Sequence, residues 1–372
     1  MKQILIFAFL LTGCLSIQLD CITDHGSKSH FTAIKPPKEI TSYIKTYLVF
    51  DDESQDFVYH ENEIDEANGP LNKTLSQFDQ EGIQLLVWND QPPGTKYYNP
   101  DGAHSKGIIA YSAESDSGVY IFHSFPRYPF FDENGKISAD IHYSQTYLGQ
   151  TFHCEKVTGK SIDLILSGIQ ITNITVNRNT LQSSSYQYIN EFANQKYYVE
   201  NEENFKKIEL DLESGPAIGI YKRDTYDVQV YEDVVIPNIQ DSIYSLSWGD
   251  PYIHSNCKVN GSYFVKNIGE IKFDFASKKS FLSKQPFSDT IEWSCYKEHS
   301  KWFITDKTQI PCIADMNHME SQNNRGGGFI CPQNPNLHSA LSNLIAWNYD
   351  CKGERKEFSE GNGHRPLKRI QK

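Results

Sequence analysis

Short apolar runs separated by polar turns dominate the pattern of the chain. Most of these runs are rich in β-branched and aromatic side chains, which favour β-strands. One later segment, residues 336–347, instead repeats its apolar residues at helical spacing. The predicted strands cover residues 47–50, 83–88, 107–112, 119–125, 228–236 and 301–305. Together these elements predict a β-rich or α/β structure.

One strand–turn–strand pattern occurs twice. The tripeptide His-Ser-Lys at residues 104–106 is followed by an apolar strand, a polar turn and a second strand that ends at His123. The same tripeptide at residues 299–301 is followed by the same order of elements, which ends at Asn317. We therefore predict one β-hairpin unit used twice, in a chain built from two related halves.

The repeat also predicts where the halves lie. We expect an N-terminal half over residues 17–190 and a C-terminal half over residues 191–355, each with one copy of the tripeptide. Residues 356–372 are basic and polar and are interpreted as a tail.

Residues 1–16 have the features of an export signal. A positive start precedes the apolar run of residues 4–11, which is too short to span a bilayer. Cys14 ends a Leu-Thr-Gly-Cys sequence, so a lipid anchor on Cys14 is the alternative interpretation. No later segment is apolar for long enough to form a membrane helix. The pattern predicts a secreted or lysosomal protein without a membrane span.

The cysteines and glycosylation sequons fit an exported protein. Removing the signal leaves seven of the eight cysteines, and no two of them form a Cys-x-x-Cys pair, so the spacing does not indicate a zinc site. In an oxidising compartment they predict disulfides, with one cysteine left over. Sequons for N-glycosylation begin at Asn72, Asn173 and Asn260.

The net charge of the chain bears on its function through pH. Hydrophobic residues make up 38% of the chain and aromatic residues 13%, which is enough for a large core, while the net charge at pH 7 is −12. Protonating all 12 histidines would bring that charge to about zero near pH 5. A protein that must approach a polyanion would then meet less repulsion in an acidic compartment. Ordinary acidic solubility is the other explanation of this balance.

The tripeptide itself suggests chemistry on phosphate. Residues i and i+2 of a strand face the same side, about 6.5–7 Å apart. His104 with Lys106, and His299 with Lys301, would therefore each look into one cleft, with the serine as a spacer that points away. Lysine would neutralise the non-bridging oxygens of a phosphate, and histidine would meet the phosphorus or a bridging oxygen. Two solvated surface pairs are the alternative.

Two copies supply what cleavage of a phosphodiester needs. One imidazole can attack the phosphorus as a nucleophile, giving a phosphohistidine, while the other protonates the leaving alcohol and later activates water. The two lysines would balance charge that a metal ion would otherwise handle. No cofactor or metal is required by this scheme.

The chain resembles the deoxyribonuclease II family, the acid DNases. The motifs that carry the resemblance lie at residues 87–94, 103–107, 123–129, 147–154, 298–302 and 311–331. The resemblance implies a phospholipase D-like fold in which two α/β halves form a pseudo-dimer with the active site between them. It also implies an endonuclease that cleaves DNA at acid pH without metal, contacts mainly the DNA backbone, and leaves 3′-phosphate ends.

Several residues take roles from the resemblance. His104, Lys106, His299 and Lys301 become the catalytic residues, and His123 and Asn317 take supporting places near the substrate. The implied disulfides are Cys21–Cys154, Cys257–Cys351 and Cys312–Cys331, which leaves Cys295 as a buried thiol outside them.

Two further segments are candidates for substrate contacts. Asn89 and Asp90 end a predicted strand beside the presumed cleft, although strand-end turn residues explain them equally well. Arg325 opens an Arg-Gly-Gly-Gly sequence, which could offer a guanidinium and backbone N–H groups to a phosphate. A plain glycine turn is the alternative there.

Two other functions compete with an acid endonuclease. A catalytically silent family member would act as a secreted binding or effector protein, but loss of a motif residue would be its expected signature. A phosphodiesterase acting on phospholipid is disfavoured because the wider phospholipase D motif has an acid five residues after the lysine. Asp306 stands at that position in the second copy, but Tyr111 stands there in the first.

Overall fold

A computed structural model describes residues 16–41, 45–200, 203–248, 253–278, 280–281 and 288–358. The predicted export signal up to residue 15, with Cys14, and the predicted tail beyond residue 358 lie outside these residues. None of the helices in the described part of the chain is long and apolar enough to cross a membrane.

Strands make up most of the regular structure. They are β1 (Phe31–Lys35), β2 (Tyr47–Asp51), β3 (Val58–His60), β4 (Ile83–Asn89), β5 (Lys106–Ser112), β6 (Ser117–His123), β7 (Phe130–Phe131), β8 (Ile137–Ser138), β9 (Gln150–Thr158), β10 (Val176–Asn179), β11 (Phe205–Leu212), β12 (Gly215–Lys222), β13 (Ile243–Leu246), β14 (Asn256–Val259), β15 (Tyr263–Asp274), β16 (Ser280–Phe281), β17 (Thr290–Ser294), β18 (Trp302–Thr305), β19 (Pro311–Ala314), β20 (Gly327–Pro332), β21 (Ile345–Tyr349) and β22 (Arg355–Glu357).

The helices are few and short. They are α1 (Pro70–Leu75), α2 (Gly159–Ile169), α3 (Gln187–Ala193), α4 (Ile236–Ile239) and α5 (Pro335–Ser342), with helical turns at Tyr143–Gln145, Val230–Val235, Cys295–Lys297 and Glu320–Gln322. The protein is therefore a mixed α/β structure, as the apolar pattern predicts.

The same run of strands occurs in two sheets. One sheet has the order β10-β4-β5-β6-β9-β1-β2-β3-β16, and the other contains β11-β12-β20-β19-β18-β13-β15-β21-β22 with β14 and β17 also paired to β15. Strands β4-β5-β6-β9-β1 in the first correspond to β13-β18-β19-β20-β12 in the second, and all neighbours in both runs are antiparallel. A helix, α2 or α5, follows the fourth strand of each run. Both His-Ser-Lys hairpins thus have the same structural surroundings, β5–β6 and β18–β19.

The two sheets share one apolar core. Alternate residues of a strand face opposite sides, so Ile109 on β5 and Trp302 on β18 belong to a single buried cluster that also includes apolar residues of α2 and α5. Ile108 and Phe303, on the opposite faces, belong to two separate clusters. The sheets therefore pack face to face, and each central strand is buried on both sides, which rigidly positions the residues at the strand ends.

One predicted strand is wrong. Residues 228–236 form a wide helical turn over Val230–Val235 that continues into α4. Val230, Tyr231, Val234 and Val235 are buried at helical spacing in the cluster on the outer face of the second sheet. Packing against that face overrides the strand preference of the β-branched residues.

The predicted helix over residues 336–347 is only partly right. Helix α5 is capped by Asn334, whose side chain accepts a hydrogen bond from the backbone N–H of Leu337, and it ends at Ser342. Ile345 then begins β21, which pairs with β15. The apolar run continues past the helix because the strand is also buried, so periodicity alone does not show the boundary.

Three disulfides link distant parts of the chain. They are Cys21–Cys154, Cys257–Cys351 and Cys312–Cys331, the pairs that the family resemblance implies. Cys295 is buried and takes part in none of them. Disulfides of this number are typical of proteins from oxidising compartments.

Candidate active site

Two histidine rings, one from each repeat, meet at the interface of the sheets. The ring centroids of His104 and His299 are 6.4 Å apart and the rings are tilted by 56°. His104 lies just before β5 and His299 just before β18, and each is only 7% exposed. One phosphate group is small enough to contact both rings at once.

Backbone hydrogen bonds hold the two motifs against the opposite repeat. The N–H of His104 donates to the carbonyl of Gly326 at 2.8 Å, and the N–H of His299 donates to the carbonyl of Gly149 at 2.8 Å. Gly326 and Gly149 each lie directly before the fourth strand of their run, β20 and β9. A Cβ on Gly326 would lie 1.9 Å from the carbonyl oxygen of Thr172, so the close approach there requires glycine.

Each histidine ring also forms a hydrogen bond to the opposite repeat. Nδ1 of His104 donates to the carbonyl of Asp315 at 2.7 Å, and Nδ1 of His299 donates to the carbonyl of Ser124 at 3.0 Å. A ring that donates from Nδ1 carries its lone pair on Nε2 when neutral. Nε2 of each ring is therefore the nitrogen available to a substrate.

Ser124 and Asp315 occupy equivalent positions in the two hairpins. In the first hairpin the residue after the motif lysine pairs with Phe122, two residues before Ser124. In the second it pairs with Ile313, two residues before Asp315. The hydrogen bonds to the two rings thus follow the structural repeat.

The two lysines have different partners. Nζ of Lys106 contacts a carboxylate oxygen of Asp90 at 2.5 Å, whereas Nζ of Lys301 donates to the carbonyl of its neighbour His299 at 2.6 Å. Asp90 follows the residue of β4 that pairs with Lys106. By the register of β13 with β18, Trp248 holds that place in the second repeat, so Lys301 has no equivalent carboxylate.

Burial and neighbouring positive charges lower the pKa values of both histidines and of Lys301. Burial, and then the charges of Lys106 and Lys301, hold the pKa of His104 well below its ordinary value. Burial, Lys301 and Lys106 act in the same way on the pKa of His299. Burial, and then Lys106, also lowers the pKa of Lys301 far below its usual range. Both imidazoles therefore stay neutral to a lower pH than an exposed histidine, until an anion enters.

Two buried carboxyl groups near the rings behave in opposite ways. Burial alone would raise the pKa of Asp90, but the charges of Lys106 and Arg325 outweigh it and lower that pKa. Burial raises the pKa of Asp315 to about 7. Asp90 is thus the fixed negative charge of the site.

The rings open into a cavity of about 400 Å³. Its walls combine amides, hydroxyls and aromatic rings, and the described residues that line it are Gln91, Tyr98, His104, Pro126, Ser144, Gln145, Leu148, Gln150, Trp248, His299, Asn317, Met319, Ser321 and Gln322.

Comparison with known proteins decides the family. The family model of deoxyribonuclease II matches residues 20–351. The chain belongs to the deoxyribonuclease II family. It is 23% identical over 369 residues to deoxyribonuclease-2-beta of Homo sapiens. The aligned region covers 93% of this chain and 96% of that protein.

Other relatives give the same result. The chain is 24% identical to deoxyribonuclease-2-alpha of Sus scrofa, over 94% of this chain and 96% of that protein. It is 23% identical to cell death-related nuclease 6 of Caenorhabditis elegans, over 82% of this chain and 80% of that protein. This deoxyribonuclease is a hydrolase that acts on DNA.

Of the four predicted substrate contacts, the structure brings Asn317 to the cavity wall of the deoxyribonuclease. Its side-chain oxygen accepts a hydrogen bond from the N–H of Trp248 at 3.1 Å. His123 does not line the cavity but is buried against Tyr128 and Phe152. By the register of the hairpins the counterpart of His123 is Ala314, so the expected equivalence of His123 and Asn317 is wrong.

Asn89 and Arg325 are buried behind the cavity wall. Asn89 donates to the carbonyls of Phe125 and Tyr128, and so braces the loop after β6. The guanidinium of Arg325 pairs with Asp90 at 3.1 Å, and its other N–H groups donate to Tyr98 and to backbone carbonyls. In this arrangement Arg325 shapes the site through its protein partners.

Sequence reasoning missed residues that act between the repeats. Asp315, Ser124 and Gln150 contact the histidine rings, and Trp248 lies against His299. A single acid at the end of an apolar strand was the signal for Asp315, but Ser124, Gln150 and Trp248 carry no local pattern. Their roles arise only from the packing of the two sheets.

One group outside the histidine pair has the composition of a metal site. Ligand atoms of Asp24, His25 and His60 lie within 4.8 Å of one another, the one such group among the described residues. Nδ1 of His60 is 2.9 Å from a carboxylate oxygen of Asp24. None of the four predicted catalytic residues belongs to this group.

Replacing His123 by Phe is expected to stabilise the enzyme in acid. Both ring nitrogens of His123 lack a hydrogen-bond partner among the described residues, and burial followed by the charge of Lys106 lowers its pKa to about 3. The unfolded chain therefore binds a proton between about pH 6.5 and pH 3 that the folded chain does not, so wild type loses stability as the pH falls through this window.

The measurement is the urea midpoint of unfolding at pH 4.5 and pH 7.5. The advantage of His123→Phe over wild type should be larger at pH 4.5. His254→Phe, a change at an exposed histidine, is the control and should show no such pH dependence. An equal effect of His123→Phe at both pH values would contradict the prediction.

Proposed function

We propose that the protein is a secreted or lysosomal acid endonuclease that hydrolyses DNA phosphodiester bonds without a metal ion. The reaction proceeds through a phosphohistidine and leaves 3′-phosphate ends, on a phospholipase D-like fold of two related halves. The observation that carries the proposal is the meeting of the His104 and His299 rings, one from each repeat, at 6.4 Å.

His104 is the nucleophile in this mechanism and His299 is the acid. Nδ1 of His299 has a second acceptor, the side-chain oxygen of Gln150 at 3.2 Å, which stabilises a protonated ring. By the repeat, the counterpart of Gln150 is Gly327, so among the residues that the structure describes Nδ1 of His104 has the carbonyl of Asp315 as its one hydrogen-bond partner. His104 therefore remains the better lone-pair donor at acid pH.

The two rings account for every bond and proton that changes in both steps of the reaction. The Nε2 lone pair of His104 attacks the phosphorus, the P–O5′ bond breaks, and the proton on Nε2 of His299 passes to the leaving O5′. His299, now neutral, takes a proton from water, the oxygen of which attacks the phosphorus. The P–N bond to His104 then breaks, and the phosphate remains on the 3′ side of the cut.

The lysines balance charge in the transition state. Lys106 and Lys301 are buried next to the rings, and their positive charge would offset the negative charge on the non-bridging oxygens of the phosphate from behind the cavity wall. An entering phosphate also offsets their effect on the histidines, so its binding allows His299 to take up a proton. Acid conditions favour this uptake and reduce the repulsion between DNA and a chain of net charge −12.

Cleavage of a supercoiled plasmid tests this function. Wild type at pH 5 with EDTA present should nick and linearise the plasmid, and the rate should fall towards pH 8. The fragments should resist extension by terminal transferase until a phosphatase removes their 3′-phosphate. Cleavage that requires Mg²⁺ and is fastest above pH 7 would reject the proposal.

A further inference from the structure

A second pair of histidines lies near the other edge of the first sheet. Asp24 and His25 form a turn, and His60 is the last residue of β3. In the order of the sheet, β3 is five strand positions from β5, which directly follows the first motif, so the two sites are about 24 Å apart. A ligand of this group therefore lies well outside the cavity that holds His104 and His299.

Contacts that do not involve the ligand side chains fix the turn. The Cys21–Cys154 disulfide joins the segment before the turn to β9. The N–H of Gly26 donates to the carbonyl of Thr23 at 2.9 Å, and Nζ of Lys73 on α1 donates to the carbonyl of Asp24. The backbone thus presents the turn to β3 whether or not a ligand is bound.

Asp24 and His60 form a buried pair. Nδ1 of His60 is 2.9 Å from one carboxylate oxygen of Asp24, and the side chain of Asp24 is only 8% exposed. The ring of His60 stacks on Tyr47, with centroids 4.9 Å apart and an angle of 5° between the planes. Burial alone would raise the pKa of Asp24, but the hydrogen bond and charge of His60 outweigh it and lower that pKa. One ionised oxygen ligand and one fixed imidazole are therefore already in place.

His25 approaches this pair from the solvent side. Its Nε2 is 3.8 Å from the other carboxylate oxygen of Asp24, and its side chain is 47% exposed. Its ring centroid lies 6.0 Å from that of His60. Ligand atoms around a tetrahedral zinc ion are roughly 3.3 Å apart, so the 4.8 Å spread of this group must narrow. Because the ring of His25 is exposed, a change of its rotamer can close this gap while the buried pair stays in place.

The chemistry of the three ligands selects the kind of ion. Imidazole nitrogens favour zinc and similar transition metals, whereas Mg²⁺ and Ca²⁺ prefer oxygen ligands alone. Zinc commonly takes four ligands in a tetrahedron, and three protein ligands leave the fourth position to water. The exposed side of His25 gives solvent access to that position.

We propose that Asp24, His25 and His60 bind one Zn²⁺ ion, with water as the fourth ligand, and that this ion fastens the turn to β3. Nδ1 of His60 exchanges its proton for the ion on binding. Because the three ligands come together only in the folded chain, the ion should stabilise the fold by mass action. It takes no part in the cleavage of DNA, so the inference goes beyond the proposed function and does not depend on it.

Titration with the metal alone tests the site. Protein without a histidine tag is treated with EDTA, dialysed, and titrated with ZnCl₂ at pH 7.5 in a calorimeter. Wild type should bind one ion, and an excess of Mg²⁺ should not displace it. Co²⁺ in place of Zn²⁺ should give the visible absorption bands of a tetrahedral site.

Substitution of the exposed ligand assigns the ion to this group. His25→Ala should weaken zinc binding at least about tenfold and remove the Co²⁺ bands, and it leaves the buried pair intact. His254→Ala, a change at another exposed histidine, is the matched control and should bind zinc like wild type. The same zinc concentration should raise the urea midpoint of wild type and of His254→Ala much more than that of His25→Ala.

The outcomes separate this inference from the proposed function. Absence of saturable binding of one ion, or binding by His25→Ala equal to that of His254→Ala, would overturn the metal site even if wild type cleaves DNA in acid. Zinc binding that is lost in His299→Asn but kept in His25→Ala would place the ion at the catalytic pair and also overturn it. One ion that is lost with His25 would support the site even if plasmid cleavage fails in EDTA.

Discussion

Replacing either His104 or His299 by Asn is expected to lower the rate of DNA cleavage at pH 5 by about 10⁴-fold. In the proposed mechanism each ring acts in both steps: His104 would form and release the phosphohistidine, and His299 would give and then take a proton. Asparagine keeps a polar group of similar size that can still donate to the carbonyls of Asp315 or Ser124. The loss would therefore report chemistry rather than collapse of the site.

The two variants can be told apart with a nitrophenyl phosphodiester. Nitrophenolate leaves without being protonated, so His299→Asn should still form the phosphohistidine on His104 but hydrolyse it slowly. A burst of nitrophenolate equal to the enzyme concentration, followed by a slow phase, is the expected result, and the phosphorylated protein should be detectable by mass spectrometry. His104→Asn should show no burst.

The cleavage and burst experiments have one control and two contradicting outcomes. His254→Asn changes an exposed histidine and should cleave DNA like wild type. A burst in His104→Asn and none in His299→Asn would reverse the two roles. Cleavage within tenfold of wild type in either variant would contradict the mechanism itself.

Asp90→Asn is expected to cost about 3–5 kcal/mol of unfolding free energy, the usual effect of removing one partner of a buried ion pair. Asp90 is fully buried, with Lys106 at 2.5 Å and Arg325 at 3.1 Å. Asparagine keeps the shape of the side chain but leaves two buried cations without their counter-charge. The repulsion of Lys106 and Lys301 should then also lower the rate of cleavage.

The pH dependence of this effect has a definite sign. The pKa of Asp90 in the folded protein lies below its ordinary value of 3.8. Its ionised form therefore stabilises the fold fully above pH 3.8, and this stabilisation is lost as the pH falls through the folded pKa. The difference between Asp90→Asn and wild type should be the same at pH 5 and pH 7 and should shrink in stronger acid.

Urea unfolding monitored by tryptophan fluorescence at these pH values measures the difference. Asp101→Asn is the matched control, because Asp101 is an exposed aspartate in the loop between β4 and β5 and should unfold like wild type. A variant at position 90 as stable as the control would show that Lys106 and Arg325 do not depend on this carboxylate.

Local sequence patterns are sufficient to predict most of the strands and the chemical groups of the site. The apolar runs at residues 83–88, 107–112 and 119–125 correspond to β4, β5 and β6, because β-branched and aromatic side chains favour strands locally. The two copies of His-Ser-Lys predicted the histidine pair, and the family motifs identified the deoxyribonuclease II family. The strand predicted over residues 228–236 is wrong because packing against the second sheet, which is not a local property, sets the structure there.

The arrangement of these groups around the two histidine rings follows from the packing of the two sheets. The hydrogen bond from His104 to Asp315 joins residues 211 positions apart, and that from His299 to Ser124 spans 175 positions. No local pattern encodes such contacts, because they depend on how two sheets pack across a shared core. The same packing buried Lys106 and Arg325 around Asp90 and set Trp248 against His299. The physical reason is that side-chain periodicity acts within an element, whereas the hydrogen-bond partners of the two histidine rings come from other elements.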